Sequence, residues 1–250
     1  MANRFESDPY PAPPHLSVFA QPGIAWRAAM VRCWSAVEEV GCRFTGRVLV
    51  APDRRPYPSV SDVTGREVLT LAGGSEQILT DHQVLRIAFR HRSLGVVSLG
   101  SAPTPAGGDD HPIELALHAG GLSFPLELRT HAQRRDGMRR WRWAERMLVS
   151  LCEVIEAPHG AVGVEATFPS PLAPGSAAGA HALRATTWFL PAREGTDRGT
   201  EDGVLDALRR STVTRTATGV LVHGWDPGDV RPVDEAELDR VLALLRRRQR

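Results

Sequence analysis

The sequence predicts an α+β fold, in which a mostly antiparallel sheet has helices packed on one face. Two observations indicate this class. Residues 85–90 and 113–118 alternate apolar and polar side chains, which is the period of two typical of a strand with one buried face. Residues 23–40 and 134–155 repeat apolar side chains every three or four positions, which is the period of an amphipathic helix.

The amino-acid composition indicates a globular protein and excludes several functions. The 250 residues are 42% apolar and 24% charged, which is enough for a sizeable core. Every basic residue is arginine, so a Walker A phosphate loop and a lysine Schiff base are excluded. A net charge of +1 gives no strong overall attraction to nucleic acid or to an anionic membrane. Without a signal-peptide pattern or an apolar run of ~20 residues, we expect a cytoplasmic protein that does not enter membranes.

The first 79 residues are predicted to contain an extended arm, a helix and a strand, followed by a stretch without a clear pattern. Residues 1–22 contain five prolines, which disfavour helix and sheet pairing, so we expect an extended arm before a single domain of residues 23–250. A helix covers residues 23–40 and stops at Gly41, and a strand begins at residues 47–50. Residues 54–79 show no pattern that assigns them.

In the middle of the chain, the apolar pattern predicts two hairpins and one long helix. The hairpins pair residues 85–90 with 96–101, and 113–118 with 124–128. The helix over residues 134–155 ends before Pro158, and Gly160 is expected to tolerate a positive φ there. His159 is interpreted as an exposed residue of the helix-to-strand corner, with no chemical role. The remaining predicted elements are strands at 161–165, 185–190 and 220–222, a helix at 204–210, and a final helix from Asp234.

The outward side of the predicted sheet carries charged and imidazole side chains. Mixed charges in register can pair across strands, which would explain the pattern without a ligand. The other interpretation is that this face recognises another protein, because arginine is enriched at interfaces and can make bidentate contacts. The candidate partner-binding residues are Arg86, Arg90, Glu114, His118, Glu127 and Arg129.

The sequence contains no local motif of a hydrolase, a zinc site or a dinucleotide-binding turn, so we expect no catalytic residue, metal or cofactor. Asp109, Asp110 and His111 could ligate a cation, but they lie in a stretch rich in glycine and proline that is poorly preorganised. An enzyme with a scattered site, using His118, His131 and Asp110, is one alternative function.

A regulator that binds nucleic acid is the second alternative. It would use a stripe of arginines on the long helix to grip phosphates while Trp141 or Trp143 stacks on a base. The arginines of the stripe are Arg135, Arg139, Arg142 and Arg146.

Four features occur in an order that resembles the immunity protein 52 family of bacterial polymorphic toxin systems. They are the tryptophan-bearing helix running into APHGAVG (157–163), the strand ATTWFLP (185–191), the strand TGVLVHGW (218–225) and a closing helix. The resemblance implies an α+β fold and a protein that binds and neutralises a toxin domain without catalysis. The loops at 101–112 and 170–182 are longer than that family's compact form implies.

Overall fold

The computed structural model describes residues 11, 14–50, 67–101, 112–123, 130–164, 186–192, 213–223, 225–226, 229–232 and 236. These residues include one ten-stranded sheet and a separate two-stranded ribbon, β11–β12. The strand order of the large sheet is β3-β2-β4-β5-β6-β1-β7-β8-β10-β9, and every described pairing is antiparallel. The prediction of a mostly antiparallel sheet is confirmed. The strands are β1 (His15–Ala20), β2 (Cys42–Val50), β3 (Glu67–Thr70), β4 (Val84–His91), β5 (Gly95–Ser101), β6 (Ile113–His118), β7 (Gly160–Val164), β8 (Thr186–Pro191), β9 (Val213–Arg215), β10 (Gly219–His223), β11 (Trp225–Asp226) and β12 (Asp229–Pro232).

Strand β1 corrects the expectation that residues 1–22 avoid sheet pairing. It lies in the middle of the sheet, where it pairs with β6 on one side and with β7 on the other. The prolines flank this strand and leave residues 15–20 free of them. Each residue from 15 to 20 can therefore donate its amide hydrogen to the ladder, and the alternation of Leu16 and Val18 on the core face decides the register.

Three α-helices accompany the sheet: α1 (Trp26–Glu39), α2 (Ser75–Asp81) and α3 (His131–Val154). Helix α3 begins with a capping box, because the Thr130 hydroxyl accepts from the Gln133 amide while the Gln133 side chain accepts from the Thr130 amide. It ends before Glu156, which adopts a positive φ of 55°. The residue with positive φ at this corner is thus Glu156, and the prediction of that role for Gly160 is wrong.

Gly160 is needed for close packing instead. A Cβ atom at this position would lie 2.5 Å from the Cys152 sulfur and 2.8 Å from the Phe19 carbonyl oxygen. Glycine therefore lets β7 approach both helix α3 and strand β1. His159 is 8% exposed, so the expectation of an exposed corner is also wrong. The connection after β1 covers the corner, since the Gln21 amide donates to the His159 carbonyl at 3.3 Å.

One hydrophobic cluster joins alternate strand residues to helices α1 and α3. On β6 the cluster takes Ile113, Leu115 and Leu117, while the residues between them point to the opposite face. That opposite face, here called the second face, is also buried at its centre: Ser17, Ser98, Glu114 and Ala116 are at most 3% exposed. The expectation that this face meets water or a partner is wrong for the central strands, including Glu114.

Several predicted elements are confirmed with altered ends. The hairpin of β4 and β5 pairs Arg90 with Val96 and Arg86 with Gly100. The unassigned stretch, residues 54–79, contains strand β3 and the first five residues of helix α2. A short 3-10 helix, Gly120–Ser123, follows β6. The predicted strand at 124–128, the helix at 204–210 and almost all of the closing helix lie outside the described residues, so the prediction of helices on one face stays a prediction.

Candidate functional site

Two rows of side chains cross the second face, about four residues apart along β4. The row nearer the centre, here called the inner row, contains Arg86, Gly100 and Glu114, which are register neighbours on β4, β5 and β6. An Nη2 atom of Arg86 donates to Oε2 of Glu114, and the Ser17 hydroxyl donates to Oε1 of Glu114 at 2.7 Å. The side chains of Arg86 and Glu114 are only 14% and 4% exposed. The structure therefore joins two of the predicted residues in a buried ion pair.

Gly100 makes this ion pair possible, because β5 runs between the two charged residues. A Cβ atom on Gly100 would lie 2.8 Å from Cγ of Arg86 and 2.2 Å from the Leu85 carbonyl oxygen. Without a side chain at this position, the arginine can cross the neighbouring strand and reach the carboxylate. The inner row thus binds three strands together, and it has little surface to offer a partner.

The second row, here called the outer row, lies nearer the end of the sheet and contains Arg43, Arg90, Val96 and His118. Arg43 of β2 is directly opposite Arg90 of β4, and Arg90 is opposite Val96 of β5. Val97 pairs with Leu117, so continuing that register places His118 opposite Val96. Arg90 and His118 are therefore two strands apart, or roughly 10 Å. Arg43, Arg90 and His118 are exposed.

The opposed arginines of the outer row have no acidic partner among the described residues, since neither makes an ion pair. Like charges directly opposite each other on neighbouring strands destabilise a sheet. The outer row therefore presents two guanidinium groups that gain from an external anion. The alternation along β4 predicts Arg90 as a site residue, but no local pattern predicts Arg43, because the bulged pairing of β2 with β4 sets this register.

The same end of the sheet is held by helix α3. Arg140 donates from Nη1 to the Leu94 carbonyl at 3.0 Å and to the His118 carbonyl at 3.3 Å. Its Nε donates to Asp136 at 2.7 Å, and Arg139 contacts the same carboxylate. Burial alone would raise the pKa of Asp136, but the hydrogen bonds and charges of Arg140 and Arg139 outweigh it and hold that pKa below its ordinary value. The carboxylate orients both guanidinium groups at the turn between β4 and β5.

The imidazole of His118 is fixed from the other side, because its Nδ1 lies 3.1 Å from the Pro14 carbonyl oxygen. Among the residues that the structure describes, no hydrogen bond or ring contact joins His118 to His131, which is the exposed first residue of α3. The remaining predicted site residues lie outside the described residues: Glu127, Arg129, Asp109, Asp110 and His111.

The arginine stripe of α3 is exposed at all four predicted positions, Arg135, Arg139, Arg142 and Arg146. The tryptophans that were expected to stack on bases are not available, since Trp141 is 1% exposed and Trp143 is 7% exposed. Trp143 packs near His91, with ring centroids 5.9 Å apart. The stripe thus lacks the aromatic surface that single-strand binders use.

A polar cluster that sequence analysis missed connects α3 to the last strands of the sheet. Oε1 of Glu145 accepts from Nε1 of Trp141 at 2.9 Å and lies 3.2 Å from Nδ1 of His223. Nε2 of His223 lies 3.0 Å from the hydroxyl of Thr214, which is exposed on β9. The Thr187 hydroxyl contacts both Glu145 and His223. No local pattern in the sequence predicts this cluster, because its members come from four separate elements.

Within the described residues, neither the cysteines nor the potential metal-ligating side chains form a candidate site. Cys33, Cys42 and Cys152 are free and buried, as expected for structural thiols. Over the described part of the chain, no group of three or more histidine, cysteine, aspartate or glutamate side chains is arranged to hold a metal ion. None of the described helices is long and apolar enough to span a membrane.

The comparison with solved structures finds distant similarity. A solved structure of a Pseudomonas aeruginosa T6SS protein matches with a TM-score of 0.42 and 11% identity, covering 94% of this chain and 72% of that chain. No protein-family model and no curated protein matches the chain.

Proposed function

We propose that this chain is a non-catalytic binding protein that recognises another protein through the outer row. This proposal rests mainly on one observation: Arg43 lies directly opposite Arg90 in the sheet, and both are exposed and have no acidic partner among the described residues. Two opposed guanidinium groups destabilise the free sheet slightly, whereas carboxylates of a partner would bind both. His118 extends the same row, and the buried Arg86–Glu114 pair supports it from the neighbouring row.

We further propose that the partner is a toxin domain and that binding neutralises it in the cytoplasm. The support is the order of motifs that resembles the immunity protein 52 family, together with a site that can bind but needs no reaction. Glu127 and Arg129, which follow the 3-10 helix in the sequence, are proposed to contact the same partner. The proposal requires no metal, cofactor or nucleic acid.

A single substitution separates a binding role from a structural one. Arg90→Glu would place a carboxylate opposite Arg43, replacing a repulsive cross-strand pair with an attractive one. We expect the free energy of unfolding to rise by about 0.5–1 kcal/mol, measured by urea denaturation. The same variant should lose binding to the partner, because one of the two guanidinium groups has been replaced by a negative charge.

The assay uses the product of the gene encoded next to this chain as the candidate toxin. Co-expression should protect bacterial cells from that product, and calorimetry of the two purified proteins should show binding. Failure of the wild-type chain both to protect and to bind would refute the toxin-neutralising function. If Arg90→Glu gains stability but still binds the partner, Arg90 is not part of the interface.

The Glu145–His223–Thr214 cluster favours a second candidate function, the catalysis of acyl transfer. A carboxylate at Nδ1 of an imidazole and a hydroxyl at Nε2 is the arrangement that activates a hydroxyl nucleophile. Hydrolysis of a chromogenic acetate ester measures this directly. The enzyme is supported if wild-type hydrolysis exceeds that of Thr214→Val by at least about 100-fold, and it is refuted if the two rates are equal.

A further inference from the structure

Strand β3 forms one edge of the ten-stranded sheet, and part of its backbone points away from the sheet. The Leu71 amide, one residue beyond the strand, donates to the Gly46 carbonyl of β2 at 2.7 Å, so Leu71 faces β2. Residues that face the neighbouring strand alternate with residues that face away from it in an antiparallel pair. Leu69 therefore also faces β2, whereas Val68 and Thr70 direct their amide and carbonyl groups outward. No described strand lies on that side, because β3 ends the strand order.

The outward residues of β3 are accessible. Val68 and Thr70 are both exposed, and neither takes part in a further hydrogen bond with any described residue. Val68 is 37% exposed, and among the described residues Val40 is the one other large hydrophobic side chain that is equally exposed. The free edge of β3 thus combines unpaired backbone groups with an exposed aliphatic side chain.

This edge lacks the features that usually keep edge strands from pairing. Natural edge strands are protected by charged side chains, by proline or by bulges. Residues 68–74 contain neither a charged residue nor a proline. The strand at the opposite edge, β9, carries Arg215 within its three residues. Of the two edges of the described sheet, β3 is therefore the one suited to pairing with another strand.

We propose that β3 pairs antiparallel with β3 of a second copy of this chain, about a twofold axis at Leu69. In this register Val68 of each copy lies opposite Thr70 of the other, and each such pair exchanges both of its N–H···O bonds. All outward backbone groups of the strand are then satisfied. Glu67 of one copy lies opposite Leu71 of the other, so no like charges oppose each other across the new pair.

A second copy is the favoured partner because β3 is complementary to itself. A twofold interface uses the same surface on both molecules, and an axis at Leu69 pairs every outward residue of β3 with another outward residue of β3. An axis at Val68 would place Thr70 opposite residue 66, outside the strand. Each copy contributes four residues, so the buried area falls below the roughly 1,200 Å² of a stable interface. We therefore expect a weak dimer with a Kd on the order of 0.1 mM.

The dimer leaves the outer row available to a different partner. Strand β3 lies along Arg47 to Val50 of β2, and Arg43 lies four residues before this stretch, beyond the end of β3. Pairing at the free edge of β3 therefore does not cover Arg43 or Arg90. This inference does not rest on the proposed function.

Sedimentation velocity of the full chain, from about 5 µM to about 500 µM, measures the dimer. Thr70→Pro removes an outward amide hydrogen, and proline is tolerated where the amide of an edge strand faces solvent. This variant should weaken dimerisation at least about tenfold. The matched control is Val213→Pro at the opposite edge, where the Thr216 amide donates to the Gly219 carbonyl, so that Val213 faces away from β10. The control should change the Kd less than about twofold.

A pair of charged variants tests the register. Val68→Lys/Thr70→Lys places like charges opposite each other in the dimer, and Val68→Glu/Thr70→Glu does the same with negative charge. Each variant alone should stay monomeric up to about 500 µM. Their equimolar mixture should form a dimer at least as tight as that of the wild type, because opposite charges then face each other. Thermal unfolding of every variant checks that the fold is intact.

Three results would overturn the β3 dimer. The first is a wild-type chain that stays monomeric up to about 500 µM. The second is dimerisation that survives Thr70→Pro or the two lysines, because the interface would then lie elsewhere. The third is a mixture of the lysine and glutamate variants that remains monomeric. None of these measurements uses the product of the adjacent gene, so the dimer and the toxin-neutralising function stand or fall separately.

Discussion

Removal of the Glu114 carboxylate tests whether the inner row holds the middle of the sheet together. In Glu114→Ala the guanidinium of Arg86 loses its carboxylate, and the Ser17 hydroxyl loses an acceptor at 2.7 Å. Because Glu114 is 3% exposed, water does not replace these interactions without opening the second face. Breaking a buried ion pair from one side costs ~3–5 kcal/mol, and the Ser17 hydrogen bond adds about 1 kcal/mol. This loss is large beside a total stability of about 5–15 kcal/mol.

Urea denaturation followed by tryptophan fluorescence measures this change, since the chain contains six tryptophans. The control is Glu39→Ala, an exposed carboxylate whose removal should change the free energy of unfolding by less than about 0.5 kcal/mol.

The variant Arg86→Met/Glu114→Leu replaces both charges with apolar side chains of similar volume, and it should recover most of the stability, because no charge is then left unpaired. A cost below about 1 kcal/mol for Glu114→Ala, or a double variant less stable than the single one, would refute the buried ion pair.

Three further predictions concern the rest of the fold. Gly100→Ala should lose about 1–3 kcal/mol in urea denaturation, because its Cβ would lie 2.2 Å from the Leu85 carbonyl oxygen; an unchanged midpoint would contradict this contact. Asp136→Asn should cost up to about 1 kcal/mol above pH 4, and the difference from wild type should vanish as pH falls through the lowered folded-state pKa of Asp136; a constant difference down to pH 2 would contradict it. Burial raises the pKa of Cys42 to about 12 and the pKa values of the other two cysteines above their ordinary range, so an aromatic disulfide reagent should titrate all thiols rapidly only in urea. A thiol that reacts fast in the native protein would disprove that burial.

Local periodicity predicted the elements that depend on neighbours in the sequence. Helices α1 and α3 and the β4–β5 hairpin were found at the expected places, because their apolar residues repeat over several turns or strand positions. Strand β1 was missed because its residues are surrounded by prolines, and proline content was taken as a property of the whole segment. Its pairing with β6 and β7 joins residues about 100 and 145 positions apart, which no local pattern reveals.

The candidate site was predicted only in part, and the reason is register. Alternation placed Arg86, Arg90, Glu114 and His118 on one side of the sheet, as the structure does. It could not tell which of them are covered by other parts of the chain, since alternation describes one strand and says nothing of what packs on it. Arg43 was missed because the pairing of β2 with β4 shifts at two bulges, so its position opposite Arg90 follows only from the folded pairing.

The two rows of the second face show how position along a strand separates structural from functional charge. Arg86 and Arg90 have the same side-chain type and the same strand, and they lie about 13 Å apart. Arg86 is paired with a carboxylate and buried, so its charge already serves the fold. Arg90 is exposed and opposite another arginine, so its charge makes the free fold less stable. The described chain supplies no contact that compensates the charge of Arg90, and for that reason the outer row is the part of the predicted polar face where we propose that a partner binds.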